Sequence, residues 1–168
     1  MTTQTKATEK DMFLMGAERE FQTTLRALEA YPEGKLDLRP AEKSMTAREL
    51  IWMFSLGKGM TDAIVAGKFE MEGHMPPAPK TKAELIEAFK QAHAKQIAAV
   101  RGLDETAFNG TIEIPAGPGG KTAQVRRADA LWMFAMDHTH HRGQLTVYLR
   151  MAGGKVPSIY GPSGDEPW

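Results

Sequence analysis

Three of the five histidines in this chain fall within four positions, in the stretch MDHTHHRGQL (136–145), beside an aspartate. Imidazole and carboxylate groups are common ligands of Zn2+, Ni2+ and Fe2+. An imidazole is also the usual general base. On a helix, residues four apart share a face. Asp137 and His141 are then neighbours, with Gln144 further along the same side. Either Asp137 orients the His141 ring, or the two ligate one metal. A catalytic zinc takes about three ligands from the protein, so the pair is one donor short. A general base fits less well, because the chain supplies no nucleophile for it to serve. There is no cysteine and no Gly-x-Ser-x-Gly elbow.

These residues need a rigid frame, and the periodicity predicts four long helices. The first runs from about Asp11 to Ala30, with Leu14, Ala17, Phe21, Leu25 and Leu28 at helical spacing. TARE opens the second: Thr46 caps it and Glu49 reaches back, a capping box. Its apolar stripe is Leu50, Met53, Phe54, Gly57, Met60 and Ile64. TKAE (81–84) opens the third in the same way, with Ile86, Phe89, His93, Ile97 and Val100 on one side. The fourth runs from about Ala128 to Met151. Leu131, Phe134, His138, His141, Leu145 and Tyr148 trace its inward stripe, and Gly153–Gly154 end it. Between the third and fourth, short alternating runs at Thr111–Ile114 and Ala123–Val125 flank GPGG (117–120) and predict a β-hairpin. GPGG lacks the Lys-Ser/Thr of a phosphate-binding loop, so a turn is its expected role. The tail from Lys155, with Val156, Ile159, Tyr160 and Trp168, is expected to pack extended on the bundle. The expected architecture is an all-α four-helix bundle in a single domain, 1–168, with a small hairpin before the last helix.

HHRGQL on the last long helix, ELIW in the capped second helix and the third helix together resemble the DinB-like (DinB/YfiT) superfamily over nearly the whole chain. The resemblance implies a divalent metal held by three histidines. One comes from the second helix. Two come from the fourth, spaced His-x-x-x-His, the later one preceding RGQ. His141 matches that later ligand. Asp137 stands where its partner histidine is expected, and Met53, or Phe54 in a register shifted by one, stands where the second-helix histidine is expected. Aspartate can ligate Zn2+, Ni2+ or Fe2+; a thioether suits Cu(I). His93 and His138 are the candidate replacement donors, with His74 in the Pro-rich HMPPAP segment more remote.

The resemblance implies a metal-dependent transferase that uses a low-molecular-weight thiol, with Arg142 or Gln144 steadying ligand or metal. The alternative is a non-catalytic dimeric bundle or binding module in which Asp137 and His141 make an internal hydrogen bond. A homodimer is expected from the family resemblance and from Gly57, Gly59 and Gly143 inside helices. The methionines, among them Met12, Met15, Met53, Met60, Met133 and Met136, are expected to fill the core. With 21 basic and 21 acidic residues the formal charge is zero, which argues against nucleic acid as a partner. No apolar run is long enough to span a membrane, and the polar N-terminus has no signal-peptide core. A cytoplasmic protein is expected.

Overall fold

The computed structural model describes residues 6–69 and 76–167. His74 and Trp168 lie outside them. Among the described residues the chain forms α1 (Glu9–Ala30), α2 (Ala47–Ala66), α3 (Lys82–Arg101), a short α4 (Glu105–Asn109), β1 (Thr111–Pro115), β2 (Thr122–Arg126) and α5 (Arg127–Met151).

Local chemistry sets these boundaries. Thr46 Oγ1 accepts from the Glu49 N–H while Glu49 accepts from the Thr46 N–H, and Thr81 and Glu84 repeat the arrangement on α3. Thr8 and Asp11 make a third such box on α1, which TEKD foreshadows less plainly. At the end of α2, Gly67 takes a left-handed φ of 68°, and its N–H returns to the Ala63 and Ile64 carbonyls. The sequence reading does not foresee α4. Asp104 caps it by accepting from the Ala107 N–H at 2.7 Å, so LDETAF makes one further turn after α3 closes. The hairpin forms as expected. Thr111 pairs with Arg126 and Pro115 with Thr122, and Gly117, Gly119 and Gly120 take the positive φ values of the turn.

Cross-helix contacts fix the topology. Phe21 meets Phe89 at 5.1 Å and Lys10 reaches the Leu103 carbonyl, so α1 and α3 are antiparallel. Tyr148 donates to the Met45 carbonyl and Arg127 to that of Ile64, so α2 and α5 are antiparallel. Phe13 meets Trp132 at 5.1 Å while Thr24 meets Arg142, so α1 and α5 run parallel. Phe54 faces Phe89 while Thr61 faces Gln96, so α2 and α3 also run parallel. The ring order is α1–α3–α2–α5. The segment after α3, with α4 and the hairpin, crosses to the diagonal partner.

Two apolar clusters fill this frame. One, around Leu28, Leu50, Phe54, Phe89, Leu145 and Leu149, packs the end nearest the C-terminus of α5. The other, around Phe13, Ile64, Val100, Phe108 and Leu131, packs the opposite end beneath α4 and the hairpin. Between them lies a polar layer of Lys58, Thr61, His93, Gln96 and Arg142, all buried.

The expected stripes need correction here. Lys58 and Thr61 lie inside α2 while Met53 and Met60 are only half-buried. Met12, Met15, Met133 and Met136 are exposed rather than core-filling. On α5, Met133 and Met136 lie on the side opposite Leu131 and Leu145, so burying one set turns the other outward. Val156 of the tail packs into the core, and Arg26–Glu166 and Arg150–Asp165 ion pairs pin the tail to α1 and α5. Phe54 touches both Phe89 and His138 from the centre of the C-terminal cluster. Phe54→Ala should lower stability by about 3–5 kcal/mol in urea melts, through lost apolar burial and the cavity left behind.

Candidate functional site

His140 lies on the outer face of α5, while His138 and His141, three apart on the inner side, take different neighbours. His140 is exposed. His141 is largely covered, its side chain 14 % exposed. Its Nδ1–H donates to Gln144 Oε1 at 2.8 Å. That commits Nδ1 and leaves Nε2 facing Asp137 Oδ2 at 3.4 Å. A ring nitrogen and a carboxylate oxygen at this separation are held together only by a proton, a ligand donor or a cation between them. The separation also equals the edge between two ligands of a tetrahedral ion with bonds of ~2.0–2.1 Å. Gln144 thus does for His141 what a supporting acceptor does for a ligating imidazole.

The third donor is the open question, and neither candidate joins the pair. His93 projects from α3 toward α1. Its ring stacks on Phe21 at 3.9 Å between centroids, and Nε2–H donates to Glu18 Oε2 at 2.8 Å. Its Nδ1 lies 3.3 Å from Lys58 Nζ and accepts from it. Burial and Lys58 hold its pKa below the ordinary value against the pull of Glu18, so it is a neutral imidazole. His138 turns between α5 and α2 against Phe54 and over Gly57. Its Nε2 is buried with no partner, and burial, with Lys58 nearby, pushes its pKa down to about 3. Among the described residues no three His, Asp or Glu side chains gather where one ion could bind.

Arg142 is also placed away from the pair. It is 2 % exposed and points toward α1, where it pairs with Glu20 at 2.6 Å and donates to Thr24 and to the Tyr160 hydroxyl. Of the two steadying residues expected, only Gln144 touches His141.

The sequence reading missed the largest electrostatic feature. Lys58 is 5 % exposed, and among the described residues no carboxylate is in contact with it. Its Nζ donates to Gln96 Oε1 at 2.8 Å and to His93, and lies 5.4 Å above the Phe89 ring. Gln96 passes the chain on to Thr61. Burial pulls the Lys58 pKa down to about 8, with Glu18 opposing. A cavity of about 20 Å3 lies among Lys58, Gln96, His138, Thr139 and Arg142, room for about one water and no organic substrate. A roomier surface cleft of about 470 Å3 lies beside Trp52 and Met53, bounded by Arg39, Met45, Glu49 and Pro76.

These features define a class: a four-helix bundle whose last helix carries a His-x-x-x-spaced donor pair, with a supporting glutamine, against the second helix. The DinB family model matches residues 1–167, and the chain belongs to the DinB family. It is 27 % identical over 157 residues to the uncharacterized protein YrdA of Bacillus subtilis, covering 93 % of this chain and 90 % of that protein. Its fold is similar to that of a DinB-like protein from Bacillus cereus ATCC 10987, with a TM-score of 0.74 at 20 % identity, over 88 % of this chain and 95 % of the other. It is more distantly similar to the mycothiol-dependent maleylpyruvate isomerase, with a TM-score of 0.50 at 16 % identity, over 94 % of this chain and 64 % of that one. Against the three-ligand set that the family resemblance implies, the described residues bring together one oxygen and one nitrogen. The donor set does not fit a tightly held resident metal.

Two predictions follow from the inner layer. The unfolded chain holds the Lys58 proton up to about pH 10.5, while the folded chain releases it near 8. Stability should therefore rise by up to about 3 kcal/mol between pH 8 and 10. Above pH 10 the buried Tyr31, raised to about 12, works in the opposite direction. Lys58→Met should remove the rise, as followed by denaturant melts across that range.

At Gly57 an added Cβ would lie 2.3 Å from His138 Nε2. Gly57→Ala should cost about 1–3 kcal/mol with His138 in place. In a His138→Ala background it should become neutral or stabilising, since alanine favours a helix over glycine by about 1 kcal/mol. A double-mutant cycle measures the difference.

Proposed function

We propose that this DinB-family chain is a ligand-binding bundle that works without a resident catalytic metal. Its binding edge is Asp137 and His141 as supported by Gln144. The observation that carries this reading is the donor count at the pair. His141 Nε2 and Asp137 Oδ2 face each other at 3.4 Å, while His93 and His138 are turned elsewhere and Met53 holds the second-helix position. An edge of two acceptors suits a small molecule that brings a hydrogen-bond donor or a positive charge. We place the protein in the cytoplasm, where a cysteine-free chain has no need of disulfides. Among the described residues no helix is long and apolar enough to cross a membrane.

One observation favours a second reading. The 3.4 Å edge and the committed Nδ1 are what a weakly bound divalent ion would need. A thiolate from a low-molecular-weight thiol could then add the missing donor, making the chain a thiol-dependent transferase. The mycothiol-dependent isomerase that shares the fold gives this reading loose support.

Calorimetric titration with Zn2+ and Ni2+ separates the two. The binding-module reading expects no stoichiometric uptake by the wild type at micromolar metal, with or without added thiol. Met53→His should then tighten binding by at least about 100-fold, because it adds a third donor on a rigid helix. Stoichiometric micromolar binding by the wild type, lost in His141→Ala, would establish the second reading instead. Equal affinities for wild type and Met53→His would show that Met53 does not face the pair.

A further inference from the structure

Lys58 on α2 is the inner end of a three-residue relay that begins at the surface. Glu18 on α1 has a side chain 55 % exposed, and its Oε2 accepts from His93 Nε2–H at 2.8 Å. That bond fixes the tautomer of His93 and leaves its Nδ1 lone pair facing Lys58 Nζ at 3.3 Å. Carboxylate, imidazole and nucleophile in this order are the arrangement that activates a catalytic serine, with an amine here in place of the hydroxyl. Nζ also donates to Gln96 Oε1 at 2.8 Å. His93 and Gln96 thus accept two N–H groups, and among the described residues no third acceptor is bonded to Nζ. Two satisfied donors and one open position suit a free amine, whereas an ammonium would bury a third N–H unmet. Burial draws Lys58 toward the same form.

The amine has space beside it. Lys58 lines the internal cavity of about 20 Å3, together with His138, Thr139 and Arg142. Arg142 is already paired with Glu20, and the Thr139 hydroxyl donates to the Ala135 carbonyl. His138 Nε2, on the same wall, is buried with no partner. A nucleophilic amine, a base with a path to solvent and an unused polar atom therefore meet around a space little larger than a water molecule.

We propose that Lys58 is a carbon dioxide acceptor: its amine adds to CO2 in the internal cavity and is held there as a carbamate. CO2 is linear, uncharged and no wider than a water molecule, so it can pass an apolar layer into a cavity that excludes organic substrates. The Nζ lone pair forms an N–C bond to the carbon, and one C=O π pair moves onto oxygen. One N–H proton passes to His93 Nδ1, while His93 gives its Nε2 proton to Glu18 and so to water. The remaining N–H keeps its bond to Gln96 Oε1. Starting from the ammonium, two protons leave through His93, and nothing is oxidised or reduced. The product replaces a buried cation without a carboxylate partner by an anion beside Arg142. One carbamate oxygen can accept from His138 in its Nε2–H tautomer. Nothing here draws on the Asp137–His141 edge, so either reading can fail without the other.

The test is to equilibrate the full chain with carbon-13-labelled bicarbonate, esterify carbamates with triethyloxonium and locate them by peptide mass mapping. The α-amine of the chain, with an ordinary pKa of about 8, reacts too and is the internal reference. Lys58, at about 8 rather than 10.5, holds about 100-fold more free amine near neutral pH than an exposed lysine such as Lys121. It should be trapped at least about 10-fold more than Lys121. In carbon-13 NMR the wild type should show a carbamate resonance that Lys58→Met lacks and Lys121→Met keeps. His93→Gln, which cannot take the proton, should slow labelling at Lys58 by at least about 10-fold and leave the α-amine unchanged. Label confined to the α-amine and exposed lysines would overturn the proposal, as would a set of resonances that Lys58→Met leaves intact. Labelling of Lys58 that is equally fast in His93→Gln would overturn the relay. An adduct at Lys58 fixed by borohydride instead of triethyloxonium would be an imine with a small aldehyde and would overturn CO2 as the ligand.

Discussion

A lysine ammonium in the middle of a helical bundle constrains everything packed around it. Lys58 is buried between two apolar clusters and, among the described residues, touches no carboxylate. An isolated buried charge is costly, so its neighbours must supply acceptors without closing the core. Gln96 gives an amide oxygen, His93 gives a ring nitrogen, and Phe89 gives the face of its ring. Each comes from α3, and His93 and Gln96 stand where α3 would otherwise present apolar side chains. These contacts help fix the register between α2 and α3. Since His93 is drawn toward Lys58 and Glu18, it faces α1 rather than α5. His138, close to the same charge, stays neutral and lies against Gly57.

The donor geometry at Asp137 and His141 follows from this arrangement. A metal between α2 and α5 would need a third donor from α2 or from a neighbouring histidine. The polar α2 residue that turns inward near that level is Lys58, five residues and about 1.4 turns beyond Met53, and it brings positive charge. A divalent ion at the 137–141 edge would feel Lys58 and Arg142 through a core of low dielectric, where charges interact more strongly than in water. The buried cations and the missing histidine act in the same direction. Met53→His restores a donor but leaves Lys58 in place, so the added ligand must overcome that repulsion too.

Much of the fold was legible in the sequence because its signals are local. Capping boxes at Thr46 and Thr81 mark helix starts through hydrogen bonds three residues long, and the prolines and glycines of 115–120 allow little besides a turn. The hairpin register follows from the alternation at Ile112 and Ile114. What could not be read depends on rotation about a helix axis. Of the α2 stripe, Leu50, Phe54 and Ile64 are buried as read, but Met53, Gly57 and Met60 lie at its margin, and Lys58 and Thr61 take inward places instead. A reading that sorts residues by hydropathy keeps a lysine outside, and nothing in SLGKGM shows that Gln96 and His93 await it 35 to 38 positions later. Parallel α2 and α3 were illegible for a related reason: the connector between them says how far the chain can travel, not which way it goes.

The histidine cluster shows the same limit at single-residue scale. Spacing alone put Asp137 beside His141, and the structure keeps them together, because i to i+4 geometry belongs to the helix itself. Spacing could not tell which of 138 and 141 would enter the core. Gly57 decides that. Without a side chain at 57, α2 leaves a recess just wide enough for the His138 ring, and the ring fills it until Nε2 has no room for a partner. With His138 seated there, α5 can no longer rotate to bring Asp137 and His141 deeper. The pair therefore stays at the margin of the α2–α5 seam, with Asp137 half open to solvent and His141 largely covered. The rotation that seats His138 also turns Met133, Met136 and Val147 outward. One glycine on α2 thus fixes both what the inner face of α5 can bind and how much apolar surface its outer face presents.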